Sequence, residues 1–135
     1  MPATFAQIQI TLDFVRNLEG LRLDIRRNVQ AAQALIANDP TKLAQLAALI
    51  AQDCQEYLNR RLGTYAAEFI AAHLSDLQAG AAALSLSPAE ATAAINEMRA
   101  AVQALAAADM TTVANLNAAL AAVLIAVPAH TNLFG

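Results

Sequence analysis

Residues 87–127, SPAEATAAINEMRAAVQALAAADMTTVANLNAALAAVLIAV, decide how the rest of the chain is read. In the first half, Ala91, Ile95, Met98, Val102 and Leu105 follow at spacings of 4, 3, 4 and 3. In the second half, Val113, Leu116, Leu120, Val123 and Val127 follow at 3, 4, 3 and 4. A mean period of about 3.5 residues is the seam of one helix facing another. The ends agree with that reading. Ser87 offers a capping hydroxyl, Pro88 a first-turn proline and Glu90 an acid three positions after the cap. Asp109 is placed to cap the second helix, and Pro128 to stop it, since proline lacks an amide hydrogen. The short break around Asp109 folds the two helices back antiparallel.

Working outward, 135 residues suffice for one domain with a real core. The reading is a single helical domain, 1–135, with N-terminal helices over 4–79, the hairpin at 87–127 and a tail at 128–135. The hydrophobic share is 58%, but 35 of those residues are alanine, so the count of large apolar side chains is ordinary. Charge is scarce, 14% against a typical value of about 25%. Beyond Arg99 the only charged side chain is Asp109. So uncharged a segment is expected to share a surface with a partner.

The first segment carries two patterns. Thr4 to Gln7 fits a capping box, and Phe5, Ile8, Leu12, Val15, Leu18, Leu21, Ile25, Val29, Ala32 and Ile36 make a helical stripe with a phase slip near Gly20. Over residues 7–25, however, Ile8, Ile10, Leu12 and Phe14 also alternate with polar residues, as do Leu21, Leu23 and Ile25, as a β-hairpin would. The helix is favoured, because the chain offers no other strands and a lone hairpin is only marginally stable. Asp39-Pro40 starts the next helix, whose inner face reads Leu43, Leu46, Ile50, Cys54, Tyr57 or Leu58, Leu62, Tyr65, Phe69, His73 and Leu77. Whether it runs through Arg60, Arg61 and Gly63 is left open by the sequence. Gly80 is read as a C-cap, with Ala81 to Leu86 as a connector. The fold class is therefore all-α, an antiparallel bundle of four or five helices ending in an alanine-rich hairpin. The N-terminal β-hairpin is the minor alternative.

Chemistry is sparse. Glycine-rich phosphate loops, GxSxG, HExxH and CxxC are all missing from the sequence. His73 and Asp76 are spaced as half a metal site, and a packed histidine is the better reading. Cys54, on a seam, reads as core and not as a nucleophile. Tyr57, Tyr65 and Phe69 read as core or interface anchors in preference to a platform for a stacked ligand. No catalytic residue, metal ligand or cofactor site is assigned, and an enzyme is not expected. A net charge of −3 with one lysine disfavours nucleic acid. The basic pairs Arg26-Arg27 and Arg60-Arg61 read as a solvated face or an intersubunit salt bridge. The longest apolar run, Ala118 to Val127, is about half of the ~20 residues a bilayer span needs. The N-terminus lacks the pattern of a signal peptide.

The expectation is a non-enzymatic structural or assembly protein that self-associates or occupies a place in a larger complex, such as a virion. A small adaptor binding a partner helix is the alternative. The partners are further copies or other protein subunits, and the setting is the cytoplasm or a virion assembled there. The expected interface comprises Leu116, Ala119, Leu120, Ala122, Val123 and Val127, with Leu133 and Phe134 of the tail.

Overall fold

A reciprocal cap starts the first helix. The Gln7 amide donates to Thr4 Oγ1 at 3.2 Å, and the Thr4 amide donates to Gln7 Oε1 at 3.0 Å. This is seen in a computed structural model that describes residues 3–84 and 88–127, apart from the side chains of 63–67 and 88–92. From that cap, α1 (Phe5–Asn38) continues for 34 residues, or about 51 Å. The helix thus occupies the whole segment that alternation would have made a hairpin. No strand occurs among the described residues.

The core stripe of α1 is Thr11, Val15, Leu18, Arg22, Ile25, Val29, Ala32 and Ile36. Its spacing is 4, 3, 4, 3, 4, 3, 4, without a slip. The slip expected near Gly20 is corrected: Thr11 and Arg22 hold seam positions that an apolar reading passes over. Arg22 is wholly buried, with Nε 3.9 Å from the Glu19 carboxylate. Phe5, expected in the stripe, lies outside it and is 80% exposed. Gly20 sits in mid-helix, where glycine costs about 1 kcal/mol relative to alanine. A Cβ there would meet nothing within 4 Å.

After the 3₁₀ turn Pro40–Lys42, capped by Asp39, comes α2 (Leu43–Glu56), which buries Leu46, Ile50 and Cys54. It does not stop at Gly63. A π-helical stretch, Tyr57–Thr64, carries it directly into α3 (Tyr65–Ala72). Leu62, within that stretch, is completely buried. Arg99, from later in the chain, donates to the Leu62 carbonyl oxygen from Nε at 2.7 Å and also from Nη2. The break comes at His73, which ends α3 and precedes α4 (Leu74–Ala83).

Gly80 is not a C-cap. It lies inside α4, where that helix crosses α1 so closely that a Cβ would overlap Thr11 Oγ1 and come within 2.7 Å of the Gln7 carbonyl oxygen. Gln7 Nε2 also donates to Asp76 at 3.2 Å, fastening the same crossing.

α5 (Pro88–Ala107) and α6 (Val113–Ala126) form the C-terminal hairpin. Ile95, Met98, Val102 and Leu105 are buried on one helix, and Leu116, Leu120, Val123 and Val127 on and just beyond the other. Burying each such side chain contributes roughly 1.5–3 kcal/mol. The cap of α6 is Thr112, whose hydroxyl accepts from the Asn115 amide at 3.1 Å, and not Asp109 as expected. Asp109 instead organises the preceding loop, accepting from the Thr111 amide, the Thr111 hydroxyl and Asn115 Nδ2. Those donors, the Thr111 hydroxyl first, hold its carboxyl below the usual range. Ser87 and Pro128 lie outside the described residues.

α1 is the spine of this all-α bundle. It packs on α4 near its start and, through Arg26, on the end of α6, while α5 packs on α2, the π-helical stretch and α6. Because α2, the π-helical stretch and α3 run on without a break, the described residues make five rods.

Candidate functional site

Where the expected interface residues lie follows from which face of α6 meets α1. Leu116, Leu120, Val123 and Val127 are at most 3% exposed and join the core of their own chain. Within the single chain these side chains present almost no surface, because α1 and α5 cover the seam. Arg26 ties it down, donating from Nη1 to the carbonyl oxygens of Leu124 at 2.8 Å and Val127 at 2.6 Å. These are carbonyls the helix end leaves without an internal partner, at its negative pole. Arg26 is thus a cap within the chain. Ala119 is half-buried against the core, and Ala122 is exposed. Leu133 and Phe134 lie outside the described residues.

The opposite face of α6 remains uncovered. Ala118, Ala121, Ala122 and Ile125 are exposed at spacings of 3, 1 and 3, Ile125 at 83%. The helix Val113–Ala126 carries no charge, and Asn115 and Asn117 are its only strongly polar side chains. Beside that face, between α5 and α6, runs an open groove of ≈ 600 Å³. Ala100, Ala104 and Ala108 form one wall and Ala119, Ala122 and Ala126 the other, and Glu97 is the only charged residue lining it. The α5 wall went unnoticed in the sequence, although its 4, 4 alanine spacing was a usable signal.

The other candidate residues, His73, Cys54 and Tyr57, sit among neighbours of their own chain. His73 Nδ1 stands 3.9 Å from Asp76, and its ring tilts on Phe69 at 4.6 Å. Among the described residues no cluster of three potential metal ligands forms. Burial, and then the charge of Asp53, pushes the Cys54 thiol up to about 11, which leaves the sulfur protonated and unreactive near neutral pH. Tyr57 accepts from Asn28 Nδ2 at 3.2 Å and lies under the Arg61 guanidinium, 5.3 Å from the ring centre. Burial raises its hydroxyl pKa, partly opposed by Arg61. Arg61 also pairs with Asp24 at 3.2 Å, and Arg60 stands 3.8 Å from Glu56. The side chain of Tyr65 is outside the described set.

Compared with known proteins, the chain matches no family model, and no curated protein or solved structure matches it. No described helix is long and apolar enough to cross a membrane.

Proposed function

We propose that this chain is a non-enzymatic structural or assembly protein that self-associates, or fills a position in a larger protein complex such as a virion, through the outer face of its C-terminal hairpin. The observation carrying this reading is α6: without a charged residue and with Asn115 and Asn117 as its only strongly polar side chains, yet covered by its own chain on one side only. A helix without a polar face is ordinarily buried all round. Alanine walls let a second helix backbone approach closely, and a lining with Glu97 as its only charge gives little reason to exclude an apolar neighbour. A standard contact takes about 800 Å² from each partner. The most economical partner is a second copy, because each copy presents the uncharged ridge that the other's groove would accept. The cytoplasm, or a virion assembled in it, is the setting that fits.

A second reading draws on the groove alone. Bounded by two helices, it suits one partner helix laid between them, as in a helical adaptor. The mass of the native particle separates the two. Self-association predicts a mass by light scattering above the 14.2 kDa of one chain, rising with concentration. Ala122→Glu, at an exposed position, is expected to return the particle to single-chain mass with unchanged helicity. A single 14.2 kDa species from micromolar to millimolar concentration overturns self-association and leaves the adaptor.

A further inference from the structure

A second cavity opens on another part of the bundle, where α1 meets the π-helical stretch and α3. Its volume is ≈ 410 Å³, within the range of small-molecule sites. The floor is apolar: Leu18, Leu62 and Ile95, each buried. Phe14 and Phe69 form one wall, their rings parallel within 3° and 5.8 Å apart between centres.

The mouth is polar and net positive. Asp24 and Arg61 line it and neutralise each other at 3.2 Å. Arg16 is the remaining charge on the rim. Its nearest carboxylate, Asp13, is 3.9 Å away, does not line the cavity, and leaves the arginine side chain 76% exposed.

Two further observations converge on this place. Gly20 lines the mouth, and a Cβ added there would meet nothing within 4 Å. No close packing explains a helix-weakening residue at that position; what its missing side chain leaves is clearance. The adjoining wall is also a π-helical stretch, a rare conformation concentrated at functional sites.

We propose that this cavity binds a small amphiphilic anion, with an aryl or short alkyl body against Phe14 and Phe69 and a single acidic group at Arg16. The site is distinct from the α5–α6 face and does not depend on it. Phe69 then contributes to a ligand-facing wall as well as packing on His73.

The test uses the fluorescent probe 8-anilinonaphthalene-1-sulfonate, an aryl body with one sulfonate, and decanoate as its competitor. The full chain is expected to take up one probe molecule saturably, and decanoate to displace it. Gly20→Leu puts a good helix former into the open mouth and should weaken binding about tenfold or more without disturbing cooperative unfolding, and Arg16→Gln should weaken it about fivefold. Ala122→Glu should leave probe binding unchanged whatever it does to particle mass, so this site and the assembly face fail separately. Probe binding that survives Gly20→Leu, or that Ala122→Glu abolishes, overturns the proposal. So does the absence of saturable binding.

Discussion

Gly80 and Cys54 show how single positions are set by their surroundings. At Gly80 the missing Cβ is what lets α4 reach α1, so Gly80→Ala must push Thr11 and the Gln7 backbone aside. A loss of roughly 2–4 kcal/mol in urea unfolding is expected, although alanine is the better helix former. A neutral or stabilising result would show that the helices do not cross so closely. At Cys54 the unfolded thiol ionises near 9.0 and the folded one near 11. The folded state therefore holds its proton longer, and the stability this confers is complete below pH 9 and lost as pH rises to 11. The loss is about 2–3 kcal/mol, and Cys54→Ala should flatten it. Below pH 9 a thiol reagent should label the native protein slowly and the unfolded protein at once.

At the scale of elements, the end of α6 is held by a side chain distant in sequence. Arg26 reaches 98 and 101 positions along the chain to the last carbonyls of α6. Arg26→Met keeps the length and removes the donors. It should cost roughly 1.5–3 kcal/mol and speed amide hydrogen exchange in the last turn of α6 while sparing α4. Equal acceleration in both helices would mean that the capping bonds are incidental. Thr112→Ala should cost about 1 kcal/mol at the other end of α6. The same level explains the uneven legibility of the sequence. The large side chains of the hairpin seam were readable where they are described, because they are aliphatic or methionine, whereas buried Ala94 and Ala101 were not told apart from the surface alanines. On α1 the identical period was obscured by Thr11 and Arg22, which no hydrophobic pattern counts. At Gly63 local residues suggested a helix end, yet burial of Leu62 and the Arg99 bonds accompany a continuous π-helical stretch.

For the whole molecule, the proposed assembly makes stability depend on concentration. Anything that binds only the folded chain raises its melting temperature by mass action. Self-association therefore predicts a rise of a few degrees between micromolar and millimolar protein, absent in Ala122→Glu. A melting temperature independent of concentration would count against the shared face. The expected partner surface also had to move at this scale. The aliphatic side chains of the hairpin looked like the sticky part, but α1 already covers them, and what remains outside on α6 is chiefly alanine and Ile125, with Asn115 and Asn117.

The residues by themselves determined that the chain is helical, that its last third is a hairpin poor in charge, and most of the positions of that hairpin that face inward. Periodicity and the distribution of charge are properties of the chain order, so they survive without coordinates. Only the tertiary structure decided what the inward faces meet, that Arg26 caps α6 and Arg99 bonds the π-helical stretch, that Gly80 marks a crossing, and that Phe14, Gly20 and Phe69 border one cavity. Those outcomes join residues far apart in the chain, and the angle at which two helices cross is set by the whole packed core.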